Sequence, residues 1–381
     1  MTLAVTDGVN SVSVTRTDAV RVFATNLYVS PTGANTLPYG DFATAATNLL
    51  DALAFAADGS TVHLSDGIHR VSDKIVLTKA ITLTHEGDRE ACIVTGNTGG
   101  SLVVLDNAEA HLEGLDLCGQ YPRLVFNATL DQRPKSAYDT THGVQIVSGG
   151  SVSNCVVESC RTMDHGAGVY MSAGTVVDTV IRGNYAYSTG GGGASGAGIF
   201  MDGGLVDRCI ITNNLASYGS GALGGGAYVK GGGTLRNTLV AYNYGSSAGG
   251  VWVLGASKLE NCTVFGNSSG KEGAAGGVQM GDKYGLAVNT IVWQNTNTVD
   301  GVVRETTGED AQFDTCWKQD PLFLPHGKPF RLRTTSPCRD AAKTLDWMGG
   351  SVDIYGNPRI RCQKPDIGAT EGASGFILSV K

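Results

Sequence analysis

Charge is scarce in this chain. Only 17 % of its 381 residues are Asp, Glu, Lys or Arg, too few to line the outer faces of many long solvated helices. The 28 Lys and Arg against 35 Asp and Glu give a net charge of −7. No basic run is present that could neutralise a phosphate backbone, which argues against nucleic acid as a partner. No apolar stretch approaches the ~20 residues needed to span a bilayer, so no membrane span is expected in this chain. The opening residues, Met1-Thr2-Leu3-Ala4-Val5-Thr6-Asp7, have neither a basic n-region nor an apolar h-region. A secretion signal or an anchor is therefore expected outside the sequence given. None of the nine Cys stands in a C-x-x-C spacing, which argues against thiolate metal binding and redox motifs.

Glycine, by contrast, fills 54 positions, and much of it belongs to a repeat. One half of the unit reads Gly, apolar, large, apolar: Gly143-Val144-Gln145-Ile146, Gly168-Val169-Tyr170-Met171, Gly198-Ile199-Phe200-Met201, Gly226-Ala227-Tyr228-Val229, Gly250-Val251-Trp252-Val253 and Gly277-Val278-Gln279-Met280. Successive starts are 25, 30, 28, 24 and 27 residues apart. The other half, apolar-x-Asn/Asp-x-x-Val/Ile-x-x-Asn, occupies 152–160, 176–184, 205–213, 235–243, 259–267 and 287–295. In this frame Asn154, Asp178, Asp207, Asn237, Asn261 and Asn289 each stand six positions before the final residue. Fixed spacing beside connections of variable length separates strands and turns from loops.

A unit of this size with period-two strands cannot bury its apolar side alone, so its copies must stack. The expected fold class is all-β, a right-handed parallel β-helix. Stacked strands lie ~4.8 Å apart, which sets like residues above one another. An amide both donates and accepts, so Asn184, Asn213, Asn243, Asn267 and Asn295 are expected to form a ladder within one turn. Cys155, Cys209 and Cys262 read as small buried apolar residues. Cys316, Cys338 and Cys362 lie in the loop-rich C-terminal part, where the sequence leaves disulfide pairing open.

Short apolar runs at 61–64, 75–77, 81–83, 92–94, 102–105 and 112–117 extend the solenoid upstream. Phe42, Ala46, Leu49, Leu50, Leu53 and Ala57 fall at helical spacing. They predict an amphipathic helix over 41–57, N-capped by Asp41, stopped by Asp58-Gly59 and laid as a lid over the first coil. The expected division is a β extension over 1–25, a cap over 26–60, the β-helix over 61–298 and a C-terminal cap segment over 299–381.

The repeat resembles those of bacterial surface β-helix proteins, including chlamydial polymorphic outer-membrane proteins, within the pectate-lyase-like superfamily. Tyr28-Val29-Ser30-Pro31-Thr32-Gly33 and Ala57-Asp58-Gly59-Ser60-Thr61-Val62 look like the start of such a solenoid. The C-terminal part is similar to choice-of-anchor Q proteins. It carries Asp320-Pro321-Leu322-Phe323, Ser336-Pro337-Cys338-Arg339-Asp340-Ala341, Asp353-Ile354-Tyr355-Gly356-Asn357-Pro358-Arg359 and Asp366-Ile367-Gly368-Ala369-Thr370-Glu371. Ala342 departs from the usual Gly and Thr370 from a common aromatic. The resemblance implies a secreted or surface location and no defined reaction.

Alternation in the Gly-apolar-large-apolar strand sends Val169 and Met171 inward and Tyr170 outward. The outward column is then Gln145, Tyr170, Phe200, Tyr228, Trp252, Gln279. Aromatic rings offer apolar surface to the C–H faces of sugars, so Tyr170, Phe200, Tyr228 and Trp252 are candidate glycan-binding residues. The opposing expectation is that Gly-rich connections fold over the rings and bury them. A second outward column brings Asp202 and Lys230 together as an ion pair or an acid/base couple. The preferred function is a structural or carbohydrate-binding, adhesin-like module whose partners are a polysaccharide and other cell-surface components. The alternative is a polysaccharide lyase or related enzyme. Its candidates are Asp139, His142, Arg161, Asp164, His165 and Arg182, near the long insertion at 121–141. No resident cofactor or metal site is read from the sequence; the lyase alternative would bring Ca²⁺ on clustered acids.

Overall fold

The computed structural model describes residues 2–6, 11–15, 24–119, 142–188, 193–217, 221–326, 328–361 and 364–372. The insertion with Asp139, and Cys362, lie outside these. The chain is a right-handed parallel β-helix of about nine turns. One coil runs from face I (Thr175–Val177) to face II (Val180–Arg182) and a short face IV (Tyr185–Tyr187). A Gly-rich connection then leads to face III (Ile199–Asp202) and back to face I (Leu205–Asp207). The four sheets contain eleven, nine, nine and six strands for faces I, II, III and IV. Parallel pairing starts at Ala24–Val29 and reaches Phe313–Asp314. Thr2–Thr6 and Ser11–Thr15 form a separate antiparallel hairpin.

Period-two alternation builds the core directly. Val144, Val169, Ile199, Ala227, Val251 and Val278 stack inward from face III with no exposed surface. Each larger side chain in such a column contributes about 1.5–3 kcal/mol of burial. Cys155, Cys209 and Cys262 are fully buried, and burial pushes each thiol up to about 12. Cys316 and Cys338 are free thiols.

The turn from face I to face II is made by one residue in the left-handed region. Asn154, Asp178, Arg208, Asn237, Asn261 and Asn289 hold it at φ between 47° and 52°. Arg208 is a departure from the expected frame, in which Asp207 held this place. The third copy runs one residue later than 205–213, because Leu205-Val206 and Asn213-Asn214 satisfy the pattern in either frame. Packing decides between them: Val206 is fully buried while Leu205 is only half-buried. A one-residue slip would exchange inner and outer faces.

The amide ladder is accordingly Asn184, Asn214, Asn243, Asn267 and Asn295. Asn213 sits outside it, exposed and left-handed at φ 55°. Each Nδ2 donates to the next Oδ1 at 3.0 Å. Each Oδ1 also accepts the backbone N–H of the preceding ladder residue, as Asn243 Oδ1 does from Asn214 at 2.9 Å. The Cys160 N–H begins the ladder on Asn184 Oδ1 at 3.1 Å, and the Glu305 carboxylate ends it by accepting from Asn295 Nδ2 at 2.7 Å. The repeated Gly belongs to the same device. A Cβ at Gly198, Gly226 or Gly277 would lie 2.9 Å from the ladder amide of its coil.

The N-terminal helix is shorter than expected, Leu49–Phe55, and its N-cap is Asn48, whose side chain accepts from Leu50 N–H at 2.9 Å. Asp41 instead accepts from Thr44 through N–H and hydroxyl at 2.8 and 2.7 Å. That local bonding competes with helix formation. Leu49 and Ala52 close the core over the first coil.

The C-terminal segment runs along the seam between faces I and II. Asn237, Asn261 and Asn289 donate their side-chain amides to Val352 O, Asp366 O and Lys343 O. Arg359 is fully buried beneath it, bonded to Gly368 O and Asp366 O and 3.1 Å from Glu371.

Candidate functional site

The outward column of face III is in register over successive coils, with Gln145 opposite Tyr170, Tyr170 opposite Phe200, Phe200 opposite Tyr228 and Tyr228 opposite Trp252. Three rings stack. Tyr170 and Phe200 are 5.2 Å apart at 10°, and Phe200 and Tyr228 are 5.0 Å apart at 6°. His165 lies parallel to Phe200 at 4.7 Å. Phe200, between two rings and beside His165, is only 5 % exposed, whereas Tyr170, Tyr228 and Trp252 are half-buried. Of the four rings, one is covered and three keep part of their surface in solvent.

Stacking has a chemical consequence. Rings piled at strand spacing spend their faces on each other, so the middle of the column offers solvent its edges and the Tyr hydroxyls. No ring pair joins Tyr228 to Trp252 among the described residues. The Trp252 indole rests instead on Gly281, where an added Cβ would come within 2.6 Å of Nε1. That N–H is buried and has no hydrogen-bond partner among the described residues.

Lys230 and Asp202 are register partners joined at 2.9 Å. Lys230 Nζ also stands 5.3 Å from the Phe200 ring. The hydrogen bond to Asp202 raises the Lys230 pKa, and burial raises that of Tyr228. Both charged partners keep a third or more of their side chains in solvent, so the pair is worth at most about 1 kcal/mol.

His165 enters the site from the connection between faces IV and III. Its Nδ1 accepts the Ser195 N–H at 2.9 Å, so a neutral ring carries its proton on Nε2. Burial depresses its pKa, with Lys230 acting in the same direction and Asp164 against it. Asp164 accepts the His165 backbone N–H at 2.8 Å. The other candidates lie elsewhere. His142, at the start of face III, has both ring nitrogens engaged, by Gly166 O and Thr162 Oγ1, each at 3.1 Å. Arg161, on face IV, is buried 4.6 Å from the Tyr187 ring. Arg182, on face II, binds Glu158 at 2.7 Å and Glu90 at 3.1 Å.

Among the described residues no group of three or more His, Cys, Asp or Glu side chains is placed to hold a metal ion. The carboxylates beside the stack, Asp164 and Asp202, do not form the oxygen cage Ca²⁺ requires. Sequence reasoning passed over Tyr28, His63, Asp66 and His85, which line a cleft at the N-terminal end. Alternation showed His63 only as a strand residue, and no spacing rule ties it to His85.

Fold and site together define a parallel β-helix with an aromatic column on one face. No family model and no curated protein matches the chain. Among solved structures it is similar to the pectate lyase Pel9A at 14 % identity, covering 92 % of this chain and 97 % of that one with a TM-score of 0.42. It is also similar to a rhamnogalacturonan lyase at 14 % identity, covering 82 % and 94 % with a TM-score of 0.46. A pectin methylesterase from Erwinia chrysanthemi matches at 11 % identity, over 76 % and 95 %, with a TM-score of 0.41. Among the described residues no helix is long and apolar enough to cross a membrane.

Proposed function

We propose that this chain is a secreted or cell-surface carbohydrate-binding module that holds a polysaccharide along face III. The observation that carries the reading is the accessible trio Tyr170, Tyr228 and Trp252, aligned in one column, with Phe200 between Tyr170 and Tyr228, beside the Asp202–Lys230 pair. Ring edges and Tyr hydroxyls along the column, with the Asp202 and Lys230 side chains, give a sugar chain both apolar contact and hydrogen-bonding groups at strand spacing. Binding is favoured over catalysis because both ring nitrogens of His142 and the guanidinium of Arg182 are taken up by other partners.

Affinity electrophoresis against immobilised plant and bacterial polysaccharides tests this, combined with an absorbance assay for unsaturated uronate products. Binding that weakens at least about tenfold in Trp252→Ala, with circular dichroism unchanged, is the expected result. Binding unaffected by Trp252→Ala and Tyr228→Ala removes the reading. Release of unsaturated uronates by the parent chain replaces it with lyase chemistry.

A further inference from the structure

A cleft of about 480 Å³ opens at the N-terminal end, on the outer side of the first coils. Its floor is set by register. Tyr28 and His63 are partners on adjacent strands of face I and stack at 4.9 Å and 17°. Phe42, from the loop after the strand Ala24–Val29, meets Tyr28 edge-on at 4.9 Å and is 47 % exposed. His63 is steadied by Asn26 Oδ1 at 3.1 Å. The cleft therefore has an aromatic floor whose rings belong to three separated parts of the chain.

One wall is polar. The His85 side chain is 4 % exposed, and its Nδ1 lies 3.0 Å from Leu64 O. A carbonyl can only accept, so Nδ1 carries a proton. Nε2, on the other side of the ring, lies 3.2 Å from Asp66 Oδ1, and the Asp66 side chain is 78 % exposed. A carboxylate seated on the His85 ring thus stands beside the aromatic floor, and Glu86 adds a second carboxylate to the same lining. Carboxylates only accept, so this wall suits a ligand that brings hydroxyl hydrogens to donate.

We propose that this cleft is a second ligand site, separate from face III, and that it takes a non-acidic sugar ring. The ring's apolar face lies on Tyr28 and Phe42, and its hydroxyls donate to the Asp66 and Glu86 carboxylates. Among the described residues no Lys or Arg lines the cleft, while Asp66 and Glu86 do. Uronates are therefore disfavoured here, in contrast to face III with its Lys230. The site does not depend on the aromatic column: the two respond to different substitutions.

The test uses the full chain with ¹⁵N-labelled histidine. Imidazole resonances are followed while cellohexaose, xylohexaose, mannohexaose and trigalacturonate are added separately. At least one neutral probe is expected to move the His85 and His63 signals, and trigalacturonate to leave them in place. Phe42→Ala and Asp66→Asn change exposed side chains, so the fold should survive; each is expected to raise the dissociation constant about tenfold. Trp252→Ala should not alter this binding. The proposal is overturned if none of the neutral probes moves the His85 signal, if trigalacturonate binds as well as they do, or if both cleft variants bind like the parent.

Discussion

Replacing Asn214 by Ala should cost far more stability than replacing its neighbour Asn213. The Asn214 Oδ1 accepts two donors, the backbone N–H and the side-chain Nδ2 of Asn184, both at 3.0 Å. Asn184 is fully buried, so neither donor can turn to water. Asn184 Nδ2 keeps its bond to Val157 O at 3.0 Å, so the backbone N–H is the group left wholly unpaired. At about 1–3 kcal/mol for it and about 1 kcal/mol for the lost amide bond, the change costs about 2–4 kcal/mol before any cavity is counted. Asn213 is exposed, and among the described residues its side chain bonds only Thr212 Oγ1, at 3.1 Å. Its φ of 55° suits Gly, so Asn213→Gly should stay within about 1 kcal/mol of the parent. Urea unfolding followed by far-ultraviolet circular dichroism gives the comparison. Because a solenoid can lose coils in stages, amide exchange at residues 184–185 and 214–215 locates the damage. Equal midpoints for the two variants, or the larger loss in Asn213→Gly, would refute the ladder and with it the assigned frame of the third coil.

Gly226→Ala places a Cβ 2.8 Å from Gly250 O and 2.9 Å from Asn243 Nδ2, and should cost about 1–3 kcal/mol in the same unfolding assay. Gly349→Ala, with nothing within 4 Å of its Cβ, serves as the near-neutral control. Arg359→Met leaves Glu371 buried without its cation and should cost about 3–5 kcal/mol, read first as faster amide exchange at Gly368 and Ala369. Burial lowers the pKa of His142 from its ordinary value of 6.5, so the folded state prefers the neutral ring. The stability this contributes is present above 6.5 and is lost as pH falls through the depressed value. His142→Gln should therefore lose less melting temperature than the parent between neutral and mildly acidic pH. An identical pH slope in the two proteins would contradict the assignment.

The architecture was legible in the local residue pattern, because a solenoid writes its fold coil by coil. Each coil repeats the same inward Val, Ile or Met and the same outward large residue, so period and alternation sufficed to stack the strands and to align Tyr170, Phe200, Tyr228 and Trp252. Three features depended on how the chain packs. The frame of the third coil needed packing, since Leu205-Val206 and Asn213-Asn214 fit the pattern twice. The helix start needed the competition between Asp41–Thr44 bonding and the Asn48 cap, which helical spacing cannot weigh. The cleft needed contacts that span the chain: Tyr28, Phe42, His63 and His85 share no repeat, and they meet because the first coils bring 28, 63 and 84 onto one column while 42 and 85 arrive on loops. Repeats record contacts between equivalent positions, whereas a site assembled from unequal segments leaves no period to read.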